Sequence, residues 1–357
     1  GTGIPRVNEE CRRDMTRVLA EAKTQTEALL AGELPERQIS VTNPLSFARN
    51  DVLYLDVPMD WHVAGGYAQQ RVTDVDGVEH LAVAGVCVPS MGTVVLTLEP
   101  GEPAGASAFV QADGEVTTPY AKVRLNNAGS IDSLYDLRAQ REVRGKGYPL
   151  NTFLSAEDVS LRWDSWDIDA DLLPKLQPEA QMLSSRVVCD GPVELRIENT
   201  YRLTEKSSLR QQMIFSAFTP EVRFDTIVDW QDDHRFLKAA FDTSIFTDES
   251  REEIQFGYMR RSTHNNTKED IAKFEFSCHK YADLSEGRYG VSVLNDCKYG
   301  VHVKAGSIWL SLHKGGCNPD FTGDKGKHRM MYSLLPHEGG FGMESVVRPA
   351  YRLNYPV

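Results

Sequence analysis

The first thirty residues of the chain carry apolar side chains at roughly helical spacing. These apolar positions are Val7, Cys11, Met15, Val18, Ala22, Leu29 and Leu30. Pro5 stands near the first turn and Gly32 follows the last apolar position, which is typical of helix ends. The pattern predicts one long amphipathic helix over residues 5–31. No second strong helical pattern follows in the sequence, so we expect the partners of this helix to lie upstream of Gly1.

After Pro35 the apolar pattern changes to the alternation that is typical of β-strands. Alternating or β-branched segments occur at residues 39–41, 52–57, 69–75, 79–83 and 93–98. Turn-forming pairs such as Asn43-Pro44 and Asp76-Gly77 separate them. The pattern predicts a small antiparallel β-sandwich over residues 35–118.

A stretch rich in Glu, Pro, Gly and Ala, from Glu99 to Glu115, leads into a second β region. Predicted strands then follow at residues 121–125, 130–135, 185–188, 193–203, 209–218, 222–230, 237–244 and 253–259, with several more after them. Almost no helical pattern lies between them, which leaves no room for the crossovers that parallel sheets need. We therefore predict a mainly β fold in which a large antiparallel sandwich over residues 119–357 follows the small one.

Composition and charge exclude several classes of protein. The 357 residues include 39 Lys and Arg against 51 Asp and Glu, a net charge of −12, and no basic run interleaved with aromatics suggests nucleic-acid binding. The sequence contains no stretch of about eighteen apolar residues, so it predicts no membrane-spanning helix. The six cysteines are dispersed and form no C-x-x-C pair. Reduced thiols in a cytoplasmic protein are the interpretation that fits best.

The segment from Trp163 to Asp169 is the first candidate for chemistry. It holds two indoles and three carboxylates in seven residues, and an extended backbone would divide them between two faces. Aromatic faces stack on sugar rings and carboxylates accept hydrogen bonds from sugar hydroxyls, so the segment suits carbohydrate. A loop held by tryptophan packing and Asp turns is the alternative. A glycosidase carboxylate pair is less suitable, because such groups face each other about 5 to 10 Å apart, usually from different elements.

A second candidate is the polar stretch from Arg260 to Thr267, which contains His264 and follows a strand pattern. Polar groups at a strand end are a common place for binding, and a solvated loop is the alternative. The sequence has no H-E-x-x-H, P-loop, G-x-S-x-G or dinucleotide motif. We identify no catalytic residue and no set of metal ligands, and we expect the chain alone to bind no stoichiometric zinc.

A series of motifs resembles the C-terminal half of glycoside hydrolase family 38, the zinc-dependent α-mannosidases. The main motifs are Ile254-Gln255-Phe256-Gly257, Thr263-His264-Asn265-Asn266-Thr267, the segments 279–286 and 289–291, and Leu294-Asn295-Asp296-Cys297-Lys298-Tyr299-Gly300. Further matches occur, in the same order as in the family, at residues 43–46, 88–92, 129–136, 163–169, 228–230, 335–337 and 350–354. The resemblance covers essentially the whole chain. Its version of the motifs is most similar to the branch of cytosolic and bacterial enzymes.

The resemblance implies that this chain is part of a longer enzyme. Family members have an N-terminal barrel with the zinc ion and the catalytic aspartates, then a three-helix bundle, then β-sandwich domains. Gly1-Thr2 resembles a Gly-Thr that follows the last zinc-ligating histidine, so residues 1–34 would hold the closing helix of the bundle. Residues 35–118 would be a small sandwich, and residues 119–357 a shortened, galactose-mutarotase-like supersandwich. The zinc ligands and catalytic aspartates would then lie outside this sequence.

The implied reaction is hydrolysis of terminal α-mannosides with retention, through a covalent mannosyl intermediate on an aspartate. The implied partners are a mannoside or oligosaccharide substrate and the upstream barrel domain, with no nucleic acid and no membrane, and a homo-oligomer stays open. Two alternatives also stay open: a free-standing, non-catalytic sugar-binding module, and a complete enzyme that uses residues of this chain alone.

The resemblance places residues 163–169 and 261–267 among the shared motifs of the family. From it we expect the substrate-binding residues to be Trp163, Asp164, Trp166, Asp167, Arg261 and His264. The chain departs from the family where Trp-Asp commonly follows the Thr of the second motif, because Lys268-Glu269-Asp270 stands there instead. A stacking contact is expected to be lost at that point.

Overall fold

The computed structural model describes residues 4–30 and 35–357, and it begins with one long helix. Helix α1 spans Ile4–Leu30. Every described side chain of α1, from Arg6 to Leu29, is exposed. Ion pairs one turn apart, such as Arg17 with Glu21 at 3.1 Å, add a few tenths of a kcal/mol each. The predicted helix is thus confirmed, while the Gly1-Thr2 motif and the Gly32 stop signal lie outside the described residues.

Six short strands form the small β-sandwich that follows. They are β1 Gln38–Thr42, β2 Leu53–Leu55, β3 Trp61–Val63, β4 Ala68–Thr73, β5 Glu79–Ala84 and β6 Thr93–Pro100. They pair in two three-stranded sheets, in the orders β1-β6-β3 and β2-β5-β4. Buried residues from both sheets, among them Val41, Leu81 and Leu96, pack in one core. This confirms the predicted sandwich, in which β3 is a strand that the sequence pattern did not indicate.

The next five strands form one sheet, in the order β11-β10-β9-β8-β7. They are β7 Val110–Ala112, β8 Glu115–Thr117, β9 Ala121–Leu125, β10 Ile131–Asp136 and β11 Arg141–Glu142. Strand β8 pairs with β9, with Val116 opposite Val123. The predicted boundary between residues 118 and 119 therefore falls inside a sheet, and β7 and β8 belong with the second unit.

Fourteen further strands build the large sandwich. They are β12 Thr152–Glu157, β13 Gln181–Asp190, β14 Glu194–Arg202, β15 Ser208–Ser216, β16 Val222–Trp230, β17 Arg235–Asp242, β18 Glu249–Ile254, β19 Gly257–Ser262, β20 Phe276–Ser277, β21 Tyr281–Ser285, β22 Tyr289–Asn295, β23 Gly300–Lys304, β24 Ser307–Lys314 and β25 Gly326–Glu338. One sheet has the order β12-β17-β24-β23-β20, and the other β13-β14-β15-β16-β25-β22-β21-β18-β19. The pairings between these strands are antiparallel, as predicted.

Helical segments are few in this part of the chain. A 3-10 turn covers Ala170–Lys175, helix α2 covers Lys268–Ala272, and a π-helical turn at Met343–Val347 leads into helix α3 at Arg348–Asn354. Among the described helices, none is both long and apolar enough to cross a membrane.

The strand predicted over residues 253–259 is wrong. The chain forms a tight hairpin there, in which Ile254 of β18 lies opposite Gly257 of β19. Phe256 occupies the turn with φ 63 and a fully exposed side chain. The apolar pattern of this segment therefore comes from two short strands that meet at an exposed turn, rather than from one buried strand.

A buried ionic network joins the small sandwich to the large one. Glu194, fully buried on β14, pairs with Arg196 at 2.8 Å and with Arg223 of β16 at 2.5 Å. Tyr54 of β2 donates a hydrogen bond to the same carboxylate, and burial raises the pKa of this tyrosine. Tyr54, Arg196 and Arg223 line a cavity of about 1090 Å³ between the two units. The Glu194 carboxylate thus holds a residue of the small sandwich and two residues of the large one, so we interpret this network as a joint between the units.

His302 on β23 gives a test of the large sandwich core. Its Nδ1–H donates to the Phe274 carbonyl at 2.6 Å, and burial lowers the pKa of the ring to about 4. Because the folded-state pKa lies below the unfolded value of about 6.5, this contribution to stability is present above pH 6.5 and is lost as pH falls toward 4. Between pH 7 and pH 5 we expect the loss from this ring to be about 2 kcal/mol.

The measurement is urea unfolding of the parent and of His302→Gln at both pH values. The variant is expected to lose about 2 kcal/mol less than the parent on going from pH 7 to pH 5. His62→Gln is the matched control, because the His62 ring contacts the Gly101 carbonyl at the surface. Equal acid sensitivity of the parent and His302→Gln would contradict the prediction.

Candidate functional site

Three loops meet beside the ends of three neighbouring strands in the five-stranded sheet of the large sandwich. Strand β17 pairs with β12, with Arg235 opposite Glu157, and with β24, where Phe236 lies opposite Lys314. Because the three strands run antiparallel, the end of β12, the start of β17 and the end of β24 lie side by side. The segments after β12, before β17 and after β24 are therefore neighbours in space, although they are distant in sequence.

The loop after β12 carries the candidate residues Trp163 to Asp167, and it forms a turn. The Trp166 and Asp167 amides donate to the Trp163 carbonyl at 2.6 and 2.9 Å, and Trp163 has φ 58. Ser165 donates twice to the Asn318 carbonyl, from its amide at 3.1 Å and its hydroxyl at 2.8 Å. The segment is therefore a loop built on a turn and attached to the loop after β24, so the division between two faces that an extended backbone would give does not apply.

The turn presents both indoles to solvent. Trp163 is 63% exposed and Trp166 is 57% exposed. Their ring centroids lie 6.0 Å apart in an edge-to-face arrangement. Asp167, beside them, is also exposed, and no side chain in the described part of the protein donates a hydrogen bond to its carboxylate. Two large apolar faces and one solvated carboxylate thus share one surface, which is the composition of a sugar-contacting patch. We call Trp163, Trp166 and Asp167 the indole patch.

Asp164 occupies a different environment from the rest of the turn. It is only 8% exposed, and its Oδ2 accepts a hydrogen bond from the Cys317 amide at 2.5 Å. His234, from the segment before β17, places Nδ1 3.5 Å from the same oxygen. Asp164 therefore fastens the turn to the two neighbouring segments. Its carboxylate is too enclosed to contact a sugar in the way that Asp167 can.

The surroundings of Asp164 are rich in carboxylates. Asp158 forms an ion pair with Lys314, yet its burial keeps the pKa of Asp158 raised. Asp233 lies 2.7 Å from the Lys325 ammonium, which holds the pKa of Asp233 below its usual range. The Cys317 thiol lies 3.1 Å from Asp233, and its burial together with this carboxylate raises the pKa of Cys317. The region thus combines acidic groups with a histidine and a thiol.

Arg261 and His264 lie in another part of the large sandwich. Arg261, on β19, donates to the buried Glu252 at 2.9 Å and lies 4.4 Å from the centre of the Phe276 ring. His264, 40% exposed at its side chain, lies 3.4 Å from Asp270. Lys304 donates to the carbonyls of Ser262 and His264, which attaches this loop to the turn between β23 and β24.

The two groups of candidate residues are attached to opposite ends of β24. The Arg261–His264 loop contacts the turn before Ser307, and the Trp163–Asp167 turn contacts the loop after Lys314. Eight residues of extended strand separate these ends by roughly 23 Å. One monosaccharide cannot contact both groups, so the structure does not bring the six residues together at one sugar.

Sequence reasoning missed His234 and Cys317. Cys317 follows Asp164 by 153 residues, and neither motif nor spacing connects them. Only the pairing of β12, β17 and β24 makes them neighbours. A recognisable signal would have been a polar residue at the matching end of each of three adjacent strands.

Comparisons with known proteins agree with the motifs noted above. A family model described as the glycosyl hydrolases family 38 C-terminal domain matches residues 116–322. Alpha-mannosidase 2C1 of Mus musculus is 34% identical over 340 residues, covering 92% of this chain and 31% of that protein. Alpha-mannosidase G of Dictyostelium discoideum is 35% identical over 264 residues, covering 72% of this chain and 24% of that protein.

The fold agrees with a solved structure as well. An α-mannosidase from Enterococcus faecalis V583 superposes with a TM-score of 0.71 at 13% identity, over 96% of this chain and 48% of that one. The chain spans about a quarter to a third of the length of these curated relatives and about half of this structural relative. The family resemblance found in the sequence is thus confirmed, and the chain belongs to the C-terminal domain family of the family 38 glycoside hydrolases.

Proposed function

We propose that this chain is the C-terminal β portion of a zinc-dependent α-mannosidase that hydrolyses terminal α-mannosides with retention. The observation that carries the proposal is the indole patch, which lies on a domain of family 38. Aromatic faces bind the C–H faces of a sugar and a solvated carboxylate accepts its hydroxyl hydrogen bonds. The patch would hold a sugar of the substrate, without taking part in bond cleavage.

The chemistry itself would belong to an upstream barrel domain. The zinc ion and the catalytic aspartates are expected there, and none of the described residues receives a catalytic role. Asp164 would act as the positioning residue that fastens the indole patch to the loop after β24. We also propose a cytoplasmic location, which fits the six unpaired cysteines of the described chain.

Arg261 and His264 cannot contact the same monosaccharide as the indole patch, so their roles differ from that of the patch. Arg261 is engaged by Glu252 and the Phe276 ring, so we propose that it stabilises β19. His264 is more accessible and remains a candidate for contact with a more distant part of a glycan.

An assay with an aryl α-mannoside tests the division of labour. We expect the purified 357-residue chain to release no aryl alcohol, while a longer protein that adds the upstream region of the relatives is active and loses activity on chelation. The same assay is also run on the chain mixed with the separately produced upstream region. Chelator-sensitive turnover by the 357-residue chain alone would refute the proposal.

A non-catalytic sugar-binding module is the second candidate function, and the outward-facing indoles favour it equally. The two functions differ in whether the chain binds sugar by itself. Titration of α-mannobiose, followed by tryptophan fluorescence, distinguishes them. Saturable binding by the isolated chain, lost in Trp166→Ala and kept in Phe246→Ala, would favour the module, because Phe246 is an exposed aromatic residue outside the patch.

A further inference from the structure

The side chains of Asp164, His234 and Cys317 converge where β12 and β24 end and β17 begins. One oxygen, nitrogen or sulfur atom from each lies within 4.8 Å of the other two. Two of the polar atoms at this place, Oδ1 of Asp164 and Nδ1 of His234, are buried and have no hydrogen-bond partner in the described part of the chain. Buried polar atoms are almost always hydrogen-bonded, so two exceptions within one cluster of side chains call for a ligand there.

The donor set indicates which ligand fits. A carboxylate, an imidazole and a thiol are the side chains that bind Zn²⁺, whereas Mg²⁺ and Ca²⁺ take oxygen ligands alone. In a tetrahedral zinc site the ligand atoms lie about 3.3 to 3.8 Å apart, given metal–ligand bonds of about 2.0 to 2.3 Å. The 3.5 Å between His234 Nδ1 and Asp164 Oδ2 matches that separation. The Cys317 sulfur lies within 4.8 Å of a ligand atom of each of the other two residues.

The backbone around the three side chains holds them in place. The His234 amide donates to the Gly315 carbonyl at 2.7 Å, and the Asp158 amide donates to the His234 carbonyl at 2.7 Å. His234 itself has φ 51, a left-handed conformation that aims its ring differently from that of a regular strand residue. Asp233 lies next to the three side chains, but its Oδ1 is 2.7 Å from the Lys325 ammonium as well as 3.1 Å from the Cys317 sulfur, so a water molecule is the fourth ligand that we expect.

We propose that Asp164, His234 and Cys317 form a zinc site that fastens the indole patch to the ends of β17 and β24. Binding would form coordinate bonds from the carboxylate, the imidazole and the thiolate, and the thiol proton would pass to solvent. This inference is independent of the proposed sugar contact, because it concerns how the turn is held. It departs from our sequence-based expectation of no stoichiometric zinc, which rested on the absence of a recognisable set of ligands in the sequence, and the experiment below tests both.

Cobalt titration of the 357-residue chain tests the site. Co²⁺ replaces Zn²⁺ in such sites and shows a thiolate charge-transfer band when a cysteine is a ligand. We expect one equivalent of Co²⁺ to bind to the tag-free, reduced protein with this band, and added Zn²⁺ to remove it. Elemental analysis after zinc loading and gel filtration should give about one zinc per chain. Zinc should also raise the melting temperature.

Two variants remove one ligand each with little disturbance of the fold. Cys317→Ser is nearly isosteric, and His234→Asn suits the left-handed backbone at that position. Cys317→Ser should abolish the charge-transfer band, and both variants should weaken metal binding at least a hundred-fold. Cys297→Ser, at an exposed cysteine elsewhere, is the matched control and should bind as the parent does.

The outcomes separate clearly. Less than about 0.2 equivalents of bound metal in the parent, or a cobalt spectrum that survives in Cys317→Ser, would overturn the proposal. The cluster would then be an ordinary Asp–His contact beside a thiol. Neither result depends on mannosidase activity, so failure here is distinguishable from failure of the proposed function.

Discussion

Replacement of Trp166 by alanine is expected to reduce kcat/KM of a longer protein with the proposed α-mannosidase activity by roughly ten- to a hundred-fold, with little change in melting temperature. The Trp166 side chain is 57% exposed, so its removal leaves little cavity in the protein. A stacking contact that strengthens in the transition state contributes about 1.5 to 3 kcal/mol, which corresponds to that loss of rate. The measurement is aryl α-mannoside kinetics with thermal unfolding of the same preparations.

Two comparison variants make this prediction sharp. Phe246→Ala removes a 92% exposed aromatic side chain outside the indole patch, and it should leave both quantities at the parental values. Asp164→Asn, unlike Trp166→Ala, should lower the melting temperature, because Asp164 is buried and anchors the turn. If Trp166→Ala melts several degrees lower but turns over mannoside at the parental rate, the indole patch is structural.

Much of the fold follows from the sequence because alternation of apolar and polar residues is a local signal. Strand β9 repeats that alternation over its whole length and β16 over most of it, and the structure has both at the predicted places. Failures occur where a turn interrupts the pattern. At Phe256 an aromatic residue stands in an exposed hairpin turn, and pattern reasoning assigned it to a strand.

The candidate site was only partly accessible to sequence reasoning. The residues of one short segment, Trp163 to Asp167, could be found by composition, but their separate roles could not. Burial distinguishes Asp164 from Asp167, and burial depends on Cys317, which lies 153 residues further along the chain. Likewise the family motif that contains Arg261 gave no indication that this side chain faces a buried carboxylate.

Arg261→Met is expected to destabilise the protein by about 3 kcal/mol, because it leaves a buried carboxylate without its cation. The Glu252 side chain is fully buried, and its Oε2 accepts from Arg261 at 2.9 Å while Oε1 has no partner in the described residues. Burial already raises the pKa of Glu252. Since a raised folded-state pKa means stability that is lost as pH rises through it, the loss in Arg261→Met should be larger at pH 8 than at pH 5.

A double-mutant cycle with urea unfolding assigns the effect to this pair. Glu252→Gln removes the buried charge, so the double variant Arg261→Met/Glu252→Gln should recover most of the stability that Arg261→Met loses. Arg260→Met, at the neighbouring residue, is the matched control. The Arg260 side chain is 60% exposed and lies 3.8 Å from Glu249, so this variant should lose less than about 0.5 kcal/mol of stability. A normal melting temperature in Arg261→Met together with impaired mannoside turnover in the longer enzyme would instead assign Arg261 to the substrate. The charge of Glu252 would then have to be satisfied by another group when Arg261 is removed.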